Sequence, residues 1–265
     1  FFTLQLTLQS VQIKMFIISA LFLCNLLNLV FASKRFHNVL ELKNVSSSQL
    51  SSSETRPCMP FSSLTVDNKI RVRFVQGEGE EYLIEITGQP DRREHVVTSV
   101  ENDELTIKLT SSVHHDPFKP LHVAIHVPAS PALRFEKVHV RSGGVVIEEV
   151  CDEFFNLENM HLIAEGSGSI VVKLAESQHI NQITVRASDQ GIVDLSGSCN
   201  QLVCRISDDS TLDAEDLDSS SVDATIFLGS GEATVSVSSN LKAHLEGGRL
   251  QYYGDPPAKN NHREW

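Results

Sequence analysis

The sequence has few aromatic and few basic residues. Only 6% of its 265 residues are aromatic, with a single Trp, and 22 Lys and Arg stand against 34 Asp and Glu, for a net charge of −12. Clustered Lys and Arg hold a nucleic-acid backbone, so this balance argues against nucleic-acid binding and also disfavours anionic membrane surfaces. Because 41% of the residues are hydrophobic, we expect a folded, acidic body rather than a disordered chain.

Common catalytic signatures are also missing. The sequence contains no G-x-S-x-G nucleophile elbow, no H-E-x-x-H helix and no phosphate-binding P-loop. The histidines do not form a clear metal site, because His122 and His126 would lie about 13 Å apart along a strand. We expect these two side chains to point outward from the strand.

Long apolar runs are limited to one segment near the N-terminus, 15–32, which ends in small residues as a secretory signal peptide does. We interpret 1–14 as untranslated leader and 33–60 as a Ser-rich linker with Asn44 in the only N-glycosylation sequon. The alternative is an uncleaved anchor, since about 18 apolar residues can just span a bilayer. The sequence therefore predicts a secreted protein, with membrane association only if this segment is retained.

The cysteines fit an oxidising compartment. Cys24 leaves with the signal peptide, and Cys58, Cys151, Cys199 and Cys204 remain, an even number that suggests disulfides. Of the three pairings that four cysteines allow, we favour Cys199 with Cys204, which a local turn would bridge, and Cys58 with Cys151. A zinc site is the weaker interpretation because no CxxC pair is present.

Short alternating strands dominate the chain from about residue 61. Apolar residues recur at every second position, which is typical of half-buried β-strands, and Gly, Pro, Asn and Asp separate the runs. No stretch has a sustained helical period, so the sequence predicts a nearly all-β body. The first runs contain Ile70, Val72 and Phe74; Leu83, Ile84 and Ile86; Leu105, Ile107 and Leu109; and Val123, Ile125 and Val127.

Later strands resemble one another. An apolar triplet recurs before a corner of Gly, Ser and Asp with a period of about 20 residues, as in a parallel β-solenoid. We expect this solenoid over 61–257, clearest in 157–254, with an N-terminal strand region as a cap and a polar tail at 258–265. An antiparallel sandwich of hairpins is the alternative. The last inward positions of the repeats are Ala164, Ala187, Ile206, Ile226 and Leu245.

The corners and the closing segment are similar to those of the GIN domain, also called the putative auto-transporter adhesin head domain. The similar segments are GSGSI at 166–170, GSGEA at 229–233 and LEGGRLQYYGDP at 245–256. This resemblance implies a right-handed parallel β-helix outside the cytoplasm and an adhesive role, and it carries over no catalytic residues. The chain departs from the family pattern where Asp replaces Gly at 188–191 and 207–210, and in its cysteines.

The acidic corners are the candidate ligand site. Asp189, Asp208, Asp209 and Asp213 fall in or beside consecutive corners, where stacked carboxylates would suit a hard cation such as Ca²⁺. The alternative is that Asp is simply a favourable corner residue. The absence of a Gly-Gly-x-Gly-x-Asp calcium repeat favours this alternative, so we expect no cofactor, with Ca²⁺ as the one candidate ion.

Two functions remain open. The first is a secreted, non-enzymatic module that displays a rigid acidic surface to an extracellular glycan or protein for adhesion. The second is a β-helical polysaccharide lyase or hydrolase that uses Asp189, Asp208 and Asp209 as acidic groups. Such an enzyme needs basic residues to hold an acidic polymer, and only Arg186 and Arg205 lie nearby in the sequence.

Overall fold

In the computed structural model, a group of mixed antiparallel and parallel strand pairs is followed by a longer series of parallel ones. The leader, the signal peptide, Asn44 and Cys151 lie outside the described residues, so the predictions about them stay predictions. The described residues are 53–77, 79–110, 121–131, 134–148, 154–227 and 229–254, together with the backbone of 258–263.

The described residues form one 15-stranded sheet and one short helix. The all-β prediction is thereby confirmed. In chain order the elements are β1 (Ser53–Cys58), β2 (Ser63–Val66), β3 (Ile70–Gln76), β4 (Tyr82–Thr87), α1 (Pro90–Arg93), β5 (Val96–Glu101), β6 (Glu104–Leu109), β7 (Leu121–Val127), β8 (Lys137–Ile147), β9 (Asn159–Lys173), β10 (His179–Ala187), β11 (Ile192–Ile206), β12 (Thr211–Ile226), β13 (Glu232–Leu245), β14 (Arg249–Tyr253) and β15 (Ala258–Arg263).

The N-terminal strands mix antiparallel and parallel pairs. β4 pairs antiparallel with β1 and β7, and β5 forms an antiparallel pair with β6. β3 then joins β7 to β8 through parallel pairing, which links this region to the rest of the sheet. Alternate residues of β3, β4, β6 and β7 are buried, as the period-two pattern predicts.

An aromatic cluster forms the core beneath these strands. The rings of Phe135 and Phe154 stack 4.9 Å apart, and Phe61 meets Phe135 edge to face at 6.1 Å. Phe74 lies 5.0 Å from Phe135, and Tyr82 lies 5.5 Å from Phe61. Aromatic pairs at these separations add stability beyond the area that they bury. The cluster therefore stabilises this part of the core.

From β8 onward, neighbouring strands of the sheet run parallel in the order β8-β9-β10-β11-β12-β13-β14. This pairing excludes the sandwich of hairpins for this part of the chain. Residues of the predicted apolar triplets lie opposite one another and are buried. One such row contains Leu162, Val185, Cys204, Ala224 and Ala243.

The predicted disulfide between Cys199 and Cys204 is wrong for this fold. Both residues lie on β11 with free, buried thiols. A strand advances about 3.3 Å per residue, so five residues of extended backbone hold the two Cα atoms beyond the roughly 7 Å that a disulfide spans. Cys58 also has a free thiol, and its predicted partner Cys151 lies outside the described residues.

Within the described ranges, no helix has the length and apolar character needed to cross a membrane.

Candidate functional site

The predicted acidic site begins with four stacked corner residues, which we call the corner column. Gly166 lies within β9, and Asp189, Asp208 and Gly229 follow the ends of β10, β11 and β12. Their φ angles are 58°, 59°, 58° and 131°, so all four lie in the left-handed region. Glycine adopts this conformation without a steric penalty, and Asp tolerates it better than most residues do. The exchange of Gly for Asp within the column therefore follows from backbone geometry.

The two carboxylates of the corner column bind backbone amides. The Asp189 side chain accepts a hydrogen bond from the Gly166 amide at 3.1 Å. The Asp208 side chain accepts from the Asp189 amide at 3.4 Å and from the Ser207 hydroxyl at 3.0 Å. Each carboxylate thus ties its corner to the preceding one, which gives it a structural role regardless of any ligand.

The remaining predicted site residues lie apart from this column or have their own partners. Asp209 accepts a hydrogen bond from the Ser230 hydroxyl. Asp213 lies beyond the corner on β12, where its carboxylate accepts from the Glu215 amide at 3.2 Å. Within the described part of the chain, no group of three or more His, Cys, Asp or Glu residues is arranged to hold a metal ion.

A second acidic pair, which the sequence reasoning did not single out, lies on the neighbouring strand segments. Asp194 of β11 is directly opposite Asp213 of β12. Burial raises the pKa of Asp194, the Asp213 charge raises it further, and Lys173 works in the opposite direction. The signal in the sequence is that each Asp follows two strand residues immediately after a corner, in Ile192–Asp194 and Thr211–Asp213.

Two exposed arginines lie side by side on the parallel strands. Arg186 of β10 lies directly opposite Arg205 of β11, and both side chains are exposed. Their row continues with Ile163 on one side and Thr225 on the other. We call the outward surface around this row the arginine face. It consists of Ile163, Thr184, Arg186, Val203, Arg205 and Thr225.

Carboxylates at the margin of the arginine face are held by other side chains. Glu165 lies 3.0 Å from the His139 ring, Asp223 lies 2.9 Å from the Lys242 ammonium, and Glu246 lies 3.1 Å from the His244 ring. Within the described ranges, neither Arg186 nor Arg205 forms a salt bridge or a side-chain hydrogen bond. The two guanidinium groups therefore stand in solvent with their charges uncompensated locally.

A depression of about 460 Å³ lies where β3 ends and β4 begins. His126 at its rim lies 3.4 Å from the Glu85 carboxylate. This places the His126 side chain on the outward surface of β7, as predicted, and pairs it with a neighbouring strand. The depression is lined by Gly77, Gly79, Glu80, Glu81, Leu83 and His126.

The body is all-β, and equivalent residues lie opposite one another on its later, parallel strands. This is the architecture of a repeat-like β domain. The family model described as putative auto-transporter adhesin, head GIN domain, matches residues 60–256. The chain belongs to this family, which confirms the resemblance seen in its corners and closing segment.

Solved structures with similar folds include putative adhesins from two bacteria. The protein from Bacteroides fragilis has a TM-score of 0.67 at 18% identity, over 78% of this chain and 89% of that one. The protein from Parabacteroides merdae has a TM-score of 0.55 at 18% identity, over 78% and 90%. At these identities the similarity concerns the fold alone. None of the curated proteins matches this chain.

Proposed function

We propose that this protein is a secreted, non-enzymatic adhesion or interaction module that presents rows of outward side chains to an extracellular glycan or protein. Family membership supports the adhesive role and the location outside the cytoplasm. We also propose that the parallel strands wind as a right-handed β-helix with coils of about 20 residues, as in other solenoids of this kind.

The observation that carries this proposal is the register of the parallel strands. Arg186 and Arg205, for example, occupy the same position on neighbouring strands, and strands in a sheet lie only about 4.8 Å apart. The backbone hydrogen bonds of such a ladder hold the outward side chains at fixed spacing. The side chains of such a surface are already ordered before a partner binds. Little conformational entropy is then lost on binding, which favours it.

The enzymatic alternative has less support. Asp189 and Asp208 would have to act as acidic groups, but their carboxylates accept hydrogen bonds from the Gly166 and Asp189 amides. A general acid or a nucleophile must instead reach the substrate with its carboxyl oxygens. The corner geometry therefore favours a binding module over a polysaccharide lyase or hydrolase.

Binding of the mature chain, from residue 33 onward, to an array of glycans and cell-surface proteins tests this function. We expect saturable binding to at least one class of ligand. No binding to any glycan or protein on the array would contradict the proposal.

A parallel screen addresses the enzymatic alternative. The same protein is incubated with plant, algal and bacterial polysaccharides, and reducing ends and unsaturated products are measured. We expect no turnover. Turnover that is abolished by Asp209→Asn would overturn the non-enzymatic proposal and establish the alternative.

A further inference from the structure

The pairing of Arg186 with Arg205 is unfavourable by itself. Residues directly opposite on neighbouring strands have Cβ atoms about 5 Å apart, and like charges in such positions destabilise a sheet. Both side chains are exposed, so solvent reduces the repulsion without removing it. In a chain with a net charge of −12, two adjacent cations without a carboxylate between them are also unexpected from composition.

Acidic residues near the arginine pair interact with other groups instead of with the arginines. Glu165 is held by His139, and Asp223 is held by Lys242. The corner carboxylate of Asp208, three residues beyond Arg205, accepts hydrogen bonds from Ser207 and from a backbone amide. The two guanidinium groups are thus left with their donors directed to solvent.

The strip of outward residues directly beside the arginine pair is uncharged, and in the adjacent row it ends at His161 and Asp223. Thr184 and Val203 lie opposite one another in the adjacent outward row, and Ile163 and Thr225 extend the arginine row at its two ends. All four are partly exposed. The strip therefore combines apolar and hydroxyl-bearing side chains with two fixed cationic groups, which can contact both a ring and its charged substituents.

We infer that Arg186 and Arg205 bind the anionic groups of a linear acidic glycan laid across the parallel strands on the arginine face. This inference rests on the proposed function and names the chemistry of its partner. Each planar guanidinium takes a carboxylate or a sulfate through two parallel hydrogen bonds. Sugar rings pack beside these contacts, on Ile163 in the arginine row and on Val203 in the adjacent row. Thr184 and Thr225 supply hydroxyl groups.

The small number of cations on the face favours a glycan over a nucleic acid. Nucleic acids carry a phosphate at every nucleotide and are bound by many cations at once. The arginine face offers two, Arg186 and Arg205. A glycan chain carries hydroxyl groups beside its anionic groups, so two guanidinium groups together with the hydroxyl groups of Thr184 and Thr225 suit a short stretch of it.

The test is a binding titration of the mature chain with polygalacturonate, heparin and neutral dextran of matched length. We expect binding to at least one acidic polymer, weakened by added salt, and none to dextran. Preference for polygalacturonate identifies carboxylate as the anion, and preference for heparin identifies sulfate. The double variant Arg186→Gln with Arg205→Gln should weaken binding at least about tenfold per arginine, since a hydrogen bond between charged groups is lost at each.

A matched control removes two other arginines from the surface. Arg71 and Arg73 of β3 lie on a different strand segment, and substitution of both by Gln changes the net charge by the same amount. This variant should bind the acidic polymer within about twofold of the unmodified protein. The variant Arg186→Lys with Arg205→Lys keeps the charge without the planar fork, and should bind with intermediate affinity.

Several outcomes would overturn the inference. Equal weakening by the two Gln double variants would mean that only net charge matters. Equally tight binding of duplex DNA or of phosphatidylserine vesicles would mean that the face does not select a glycan. If a protein or a neutral glycan binds but no acidic polymer does, the inference fails while the proposed function stands. Unchanged thermal melting of the Arg186→Gln, Arg205→Gln variant shows that any loss of binding is not unfolding.

Discussion

Asp194 and Asp213 lie directly opposite one another on neighbouring parallel strands, so their carboxylates share one outward row. The pKa of Asp194 is raised mainly by burial and then by the Asp213 charge. The folded state therefore binds a proton more readily than the unfolded chain does, and the free energy of unfolding contributed by this group decreases as the pH rises from the unfolded pKa through the folded one.

We expect Asp194→Asn to raise the melting temperature at neutral pH, because it removes a disfavoured charge. The gain should shrink at acidic pH, where Asp194 is already protonated in the folded state. Thermal melting across pH 3 to 8, a window of about the width in which perturbed carboxyls titrate, provides the measurement. Asp218→Asn on the neighbouring strand β12, where the side chain is exposed, is the control. An equal gain in both variants at neutral pH would contradict this account.

The second prediction concerns Gly229 in the corner column. Its φ of 131° is unfavourable for a side chain, and a Cβ there would lie 2.7 Å from the Asp208 Cα. We expect Gly229→Ala to lower the free energy of unfolding by about 1–3 kcal/mol, measured by denaturant titration. Gly79→Ala is the control, because a Cβ at that position would meet its nearest atom, the Glu81 amide nitrogen, at 3.9 Å. Similar losses in the two variants would argue against corner strain.

A third prediction separates the structural role of Asp189 from cation binding. Asp189→Asn keeps an oxygen that accepts from the Gly166 amide and also tolerates a left-handed φ, so we expect nearly unchanged stability. Asp189→Ala loses both advantages and should cost about 1–2 kcal/mol. Calorimetric titration of the unmodified protein with Ca²⁺ should give no heat. Stabilisation by Ca²⁺ that Asp189→Asn abolishes would instead establish a cation site in the corners.

The fourth prediction concerns the buried cysteines. Burial raises the pKa of Cys199 and of Cys204 to about 12, so both thiols are protonated at neutral pH and shielded from reagents. In the native protein we expect an alkylating reagent to leave both unlabelled, and in denaturant without reductant to label both. Peptide mass spectrometry measures each site separately. A peptide pair linked through these two residues would contradict the free thiols of the structure.

The strands could be predicted from the sequence because burial in a half-exposed sheet requires alternation. Ile70, Val72 and Phe74 carry that pattern, and all three are buried. The residues of the parallel rows could also be aligned, because corners such as those at Asp189 and Asp208 need residues that tolerate a left-handed φ. Local steric requirements of this kind can be recognised in a single sequence.

Contacts between strands are harder to predict from a single sequence. The proximity of Cys199 and Cys204 in sequence suggested a bridge, but extended backbone separates them. Asp189 and Asp208 were expected to offer their carboxylates to a ligand, whereas these groups bind amides on neighbouring strands. The effect of the pair Asp194 and Asp213 on stability could not be predicted from the sequence either. It depends on burial and on the register of two strands rather than on composition.

The in-register pairing of β10, β11, β12 and β13 has a consequence for sequence change. Deleting one residue within a strand would turn its outward side chains inward, because the period of a strand is two. Adding a complete repeat would lengthen each outward row by one member and leave the other pairings as they are, since repeats contact mainly their neighbours. Insertion or loss of whole repeats would therefore change the area of the surface offered to a partner in steps of one repeat.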